Sequence, residues 1–211
     1  LEDIGSNPIQ PPLYFIREGL KMQDKILSII PEHFIYVELV SIKQSLLFSK
    51  SLSPVETFND KESEIVNFFR VLRDKDKFEE FSKVIYDREP SGNEEINKAY
   101  NLYLYAKENL NTKIKYRFSF PNDMYDYLSR VELLPEICQR LLVVQIDYRD
   151  DSRIIKSYDT KNTLFLANQD LLENLENIKG QAIVYCDSDY NPAGREHIKI
   201  DNKTILIRRN K

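Results

Sequence analysis

Two histidines, His33 and His197, and two cysteines, Cys138 and Cys186, are all the imidazoles and thiols in this chain of 211 residues. Their positions rule out an H-E-x-x-H zinc site, and four such residues so far apart make a poor zinc set. Each cysteine reads as a small apolar core residue. No motif supports a nucleophilic triad built on histidine. The five glycines, Gly5, Gly19, Gly92, Gly180 and Gly194, are too scattered to write G-x-G-x-x-G or G-x-x-x-x-G-K-[ST]. Standard dinucleotide and P-loop phosphate cradles are thereby excluded.

What chemistry is left rests on carboxylates and on one basic run. Asp150-Asp151 and Asp187 with Asp189 have the spacing of acid/base or metal pairs, but 34 acidic residues produce such pairs by chance. In Asn111–Phe120, Lys113, Lys115 and Arg117 alternate with Ile114, Tyr116, Phe118 and Phe120. Such a strand would turn a basic face to phosphates, or would simply keep its charges in water and its rings in the core. The net charge of −4 argues against a polycation that coats nucleic acid.

These groups need a frame. The chain is 42% hydrophobic and 30% charged, the balance of one globular domain of this length. No run of about 18 apolar residues spans a membrane. The opening Leu1-Glu-Asp-Ile-Gly lacks the build of a secretory signal, and with two cysteines a reducing cytoplasm is the expected home.

Prolines 8, 11 and 12 mark an extended lead-in, and a helix from Leu20 is stopped by Pro31. Strands are expected at Phe34–Glu38, Val55–Phe58, Val143–Ile146, Thr163–Leu166 and Ala182–Tyr185, with a hairpin over His197–Arg208. Helices are expected over Ser41–Lys50, Glu62–Leu72, Lys77–Tyr86, Glu94–Asn109 and Glu132–Leu141. The alternation predicts one α/β domain with a mostly parallel sheet, a C-terminal antiparallel hairpin and helices on both faces. Residues 87–130 interrupt it as a short helical insert.

Ligands of open parallel sheets bind at the carboxyl ends of the strands. The residues there carry a resemblance: Ile30-Pro-Glu-His-Phe-Ile-Tyr-Val-Glu38, Phe58-Asn-Asp60, Ile65–Asp74, Val144-Gln-Ile146 with Asp150, and Tyr158–Phe165. Across roughly residues 13–186 the order and spacing of these segments resemble the Dam-type adenine-specific DNA methyltransferases. The resemblance implies a Rossmann-like methyltransferase sheet. It also makes residues 87–130 a reduced counterpart of the DNA-recognition region.

It further implies that Glu38, Asp60 and Asp150 occupy positions that contact S-adenosylmethionine in the family. The residues themselves favour a plainer role, in which Asn59-Asp60 caps the helix that follows. The family's glycine-rich turn is replaced here by Glu38-Leu-Val-Ser-Ile-Lys-Gln-Ser45. Its D-P-P-Y becomes Asn168-Gln-Asp-Leu171, which lacks both prolines and the ring that stacks on the flipped adenine. Its P-G-G-K becomes Arg17-Glu-Gly-Leu20. The expectation is a pseudoenzyme without cofactor or catalytic residues, acting by binding DNA through Lys113, Lys115 and Arg117 or by binding a protein such as an active relative. The alternatives are a divergent, active S-adenosylmethionine-dependent adenine methyltransferase and a pocket for a nucleoside-like ligand.

Overall fold

The computed structural model describes residues 26–41, 44–113, 131–186, 197–201 and 204–207. The strands are β1 (Ile35–Leu39), β2 (Val55–Asn59), β3 (Val144–Asp147), β4 (Thr163–Asn168), β5 (Gln181–Tyr185), β6 (His197–Asp201) and β7 (Thr204–Ile207). They form one sheet in the order β3-β2-β1-β4-β5-β7-β6. The first five run parallel. β7 is antiparallel to both β5 and β6.

In the parallel register Glu38 stands beside Phe58 on one side and Leu166 on the other, and Phe58 stands beside Ile146. Residues in one such row face the same side of the sheet. The helices are α1 (Ser63–Arg73), α2 (Lys75–Asp87), α3 (Glu94–Lys113), α4 (Leu134–Leu142), α5 (Asp151–Tyr158) and the single turn α6 (Leu172–Leu175). On the Phe58 face, α1 to α4 pack Phe68, Phe69, Phe81, Tyr103 and Ile137 onto Phe58, Val144 and Ile146. On the other face, α5 and α6 bring Ile154, Ile155 and Leu175 onto Val37, Leu39, Phe165 and Val184. A third cluster, around Tyr36, Leu164 and Ile183, is closed by Ile26 and Leu46. The sheet is thus covered on both faces, as buried parallel strands require.

α1 follows its stripe: Ile65, Val66, Phe68, Phe69, Val71 and Leu72 are buried. Asp74 caps α2 by accepting from Asp76 N and Lys77 N, each at 3.1 Å. α2 ends on Arg88 in the left-handed region at φ 60°. Gly180 is fixed by a close approach: a Cβ there would lie 2.4 Å from the Thr163 carbonyl oxygen.

Two expectations need correction. α3 runs through Lys113, so residues 111–113 are helix and not strand. Ile96, Ala99, Tyr103 and Ala106 are buried at helical spacing, and extending a helix so anchored is easier than starting a strand. The same burial builds α3 into the core shared with α1 and α2. The remainder of the basic run, including Lys115 and Arg117, lies outside the described residues.

The helix expected over Ser41–Lys50 is replaced, among the described residues, by short turns. Gln44 N bonds Ser41 O, while Ser49 N and Lys50 N both bond Leu46 O, all at 2.9 Å. The Leu46 N–H is taken by the Glu38 carboxylate, which removes a donor that a helix would use.

Candidate functional site

The expected site residues converge on the carboxyl ends of β1, β2, β3 and β4. Glu38 is fully buried near the end of β1. Its Oε1 accepts from Tyr36 Oη at 2.6 Å and from Leu46 N at 2.7 Å, and its Oε2 accepts from Ser45 Oγ at 2.5 Å. Tyr36 reaches it because residues i and i+2 of a strand share a face. Ser45 and Leu46 reach it because the chain folds back after β1. Burial raises the Glu38 pKa, opposed by the three hydrogen bonds. Burial, together with the neighbouring Glu38, pushes the Tyr36 phenol well above its ordinary value. Tyr185 on β5 donates to Gln44 O at 3.3 Å and ties the same turn to the sheet.

Asp60 follows β2. Its Oδ1 accepts from Glu62 N at 2.9 Å. Glu62 is the N-cap residue of α1 and makes no side-chain cap. Asp60 therefore fixes the turn into the helix from two residues before it, a local role close to the capping alternative. Asn59 donates from Nδ2 to Arg149 O at 3.0 Å and to Asp151 Oδ1 at 2.8 Å, and accepts from Arg149 N at 3.0 Å. The ends of β2 and β3 are stitched together by this one amide.

Asp150 is the N-cap of α5. It accepts from Ser152 N at 2.9 Å and from the Ser152 hydroxyl, which holds its carboxyl below the ordinary range. Asn168 ends β4, half-buried and without a side-chain cap. Leu171 is buried in the cluster with Val37, Leu39 and Phe165. It points into the core, where no base can stack on it. Lys61 Nζ lies 2.8 Å from Asp151 Oδ2 and 3.6 Å from Asp170 Oδ2, so it bridges the segments after β3 and β4 across the end of β1. Asp151 raises the Lys61 pKa. With Lys61 two-thirds exposed, this bridge is worth less than about 1 kcal/mol and is no barrier to a ligand.

Sequence reasoning brought Glu38, Asp60, Asp150 and Asn168 to one edge of the sheet. It missed Tyr36 and Ser45 as partners of Glu38, and Lys61 as partner of Asp151. The i, i+2 pair Tyr36/Glu38 was the signal available for the first. Glu38, fully buried, and Asp150, at the start of α5, already accept hydrogen bonds from their own chain, so neither is presented to S-adenosylmethionine as a bare carboxylate. Among the described residues no group of three or more His, Cys, Asp or Glu is placed to hold a metal, and no helix is long and apolar enough to cross a membrane. No protein-family model matches the chain, and no curated protein matches it.

Proposed function

We propose that the chain is a methyltransferase-like domain of the Dam type that has given up methyl transfer and acts by binding. The carrying observation is the Glu38 carboxylate, fully buried and already held by Tyr36, Ser45 and Leu46 of its own chain. The strand order, with its reversed β7, supports the Rossmann-like methyltransferase part of the reading. It puts the crevice between β1 and β4, where neighbouring connections leave in opposite directions. Burial of Leu171 supports the loss of the stacking position. The binding partner in this reading is DNA, engaged through Lys113, Lys115 and Arg117, or a protein such as an active relative.

Calorimetric titration of the whole chain with S-adenosylmethionine tests the loss. No saturable heat is expected up to about 1 mM ligand, a ceiling near −4 kcal/mol. Saturable binding that disappears in Asp60→Ala would favour the divergent enzyme and send the protein to a DNA methylation assay. A mobility shift of duplex DNA tests the partner. The Lys113→Ala/Lys115→Ala/Arg117→Ala variant should lose it, with a shallower salt dependence. If the wild-type chain gives no shift, the DNA arm of the reading is overturned and only the protein arm stands.

A further inference from the structure

The amino ends of β1 and β2 hold a second constellation, independent of the reading above. β1 and β2 pair in parallel with Ile35 beside Val55. The same 20-residue offset, carried two residues back, sets His33 beside Ser53 in front of the two strands. His33 Nε2 is 2.8 Å from Ser53 Oγ, and His33 Nδ1 is 2.7 Å from Pro31 O. Lys50 Nζ is 2.8 Å from the same Ser53 Oγ, 2.6 Å from Ser51 O and 2.5 Å from Glu56 Oε1.

The direction of every hydrogen bond follows from the partners. A carbonyl only accepts, so His33 Nδ1 carries the proton and Nε2 presents its lone pair. An ammonium only donates, so Ser53 Oγ accepts from Lys50 and turns its own proton toward His33 Nε2. Glu56, on the row of Tyr36, holds Lys50 on one carboxylate oxygen and Arg140 on the other. The Lys50 ammonium also lies 4.3 Å from the Tyr36 ring centroid. His33 and Ser53 are only half-buried, and with Leu27, Ile30, Lys50 and Leu52 they line a cleft of about 340 Å³. That volume is within the range of small-ligand sites.

We propose that this cleft is a nucleophilic serine site for small acyl esters, with Ser53 as nucleophile and His33 as general base. Ser53 Oγ attacks the ester carbonyl carbon while its proton passes to His33 Nε2, forming a C–O bond and an oxyanion. Lys50, 2.8 Å from Ser53 Oγ, puts a positive charge next to the attacking oxygen and favours its deprotonation. The intermediate collapses by breaking the bond to the leaving alcohol, which takes the proton from Nε2. Water then attacks the acyl-serine, giving one proton to His33. The acid departs and Ser53 Oγ recovers that proton.

The imidazole is suited to the role. Burial lowers its pKa, the Pro31 carbonyl opposes, Lys50 lowers it further and Glu56 raises it. Glu32 also lines the cleft. The neutral base is therefore present below the ordinary histidine value of 6.5.

Labelling of the whole chain with a fluorophosphonate, followed by peptide mass spectrometry, tests the proposal. In this reaction Ser53 Oγ forms the P–O bond, fluoride leaves and the proton passes through His33 to water. A single adduct on Ser53 is expected, absent in Ser53→Ala and formed about 100-fold more slowly in His33→Gln. The wild-type rate should rise with the neutral imidazole and pass its half-maximum below pH 6.5. An unmodified Ser53 between pH 6 and 8, an adduct elsewhere only, or an unchanged rate in His33→Gln would each overturn the assignment. Should Ser53→Ala fail to fold, the wild-type adduct map and the His33→Gln rate decide the matter. S-adenosylmethionine binding bears on neither.

Discussion

The two ends of the β1–β2 pair are built from the same kinds of side chain and put them to opposite uses. At the carboxyl end, Glu38, Asp60 and Asp150 each accept hydrogen bonds from their own chain within a few residues, and each fixes a turn or a helix start. At the amino end, Lys50, Glu56 and Arg140 form a buried ionic platform, and the polar chain leading from it, Ser53 to His33, opens onto a cleft. A polar residue near a strand end is thus no site by virtue of its place alone. What matters is whether its hydrogen bonds are spent inward or presented outward.

The comparison breaks most easily at Glu56. Removing its carboxylate in Glu56→Ala strands Lys50 and Arg140 and should cost about 3–5 kcal/mol in urea unfolding at neutral pH. A loss under about 1 kcal/mol would mean the platform is solvated. Burial works against the Glu56 charge, but Arg140 and Lys50 together hold its pKa below the ordinary 4.5. The stabilisation it brings to the wild type is therefore complete above pH 4.5 and is lost as the pH falls through the lower folded value.

Gly180, at the amino end of β5, is next. Gly180→Ala drives a methyl against the Thr163 carbonyl and should cost about 2–3 kcal/mol in the same measurement. Gly92→Ala meets nothing within 4 Å and should stay within about 0.5 kcal/mol.

The carboxyl end is sharpened by Ser45→Ala. It removes the hydroxyl from Glu38 Oε2 and should cost about 1–3 kcal/mol. The Glu38 pKa is raised by burial, so its favourable contribution is full below 4.5 and lost as pH rises through the folded value. Ser45→Ala raises that value further, so its cost should grow from acid toward neutral pH. Equal cost at pH 4 and pH 7 would mean Glu38 is not the group responsible.

Asp150 gives the smallest effect. Asp150→Ala should lower the thermal unfolding midpoint slightly and Asp150→Ser less still, because serine can also cap a helix.

Much of the frame was legible in the sequence. The Ile65–Leu72 stripe declares itself because its helical spacing matches the face it buries, and Thr163–Leu166 because a short apolar run suits a parallel strand buried on both faces. The turn after β1 did not. Ile42, Leu46 and Leu47 have helical spacing, whereas in the fold Leu46 N is captured by a buried carboxylate. The carboxylates at the carboxyl end could be placed from sequence because each follows a strand. Their saturation could not, since it depends on how the chain folds back. The His33–Ser53 pair was out of reach for another reason: their meeting is set by the register of two strands, and no motif links the two residues.

The strand order has a consequence for how the protein is made. β1 lies between β2 and β4, yet β4 begins only at Thr163. During synthesis β1 therefore presents an unpaired, apolar edge, Tyr36 and Val37 included, until most of the chain has left the ribosome. Such an edge invites pairing with other chains, and long-range parallel pairing is slow to form. Chains truncated before β4 are therefore expected to aggregate where the full chain does not, a consequence of pairing β1 with a strand that follows it by more than a hundred residues.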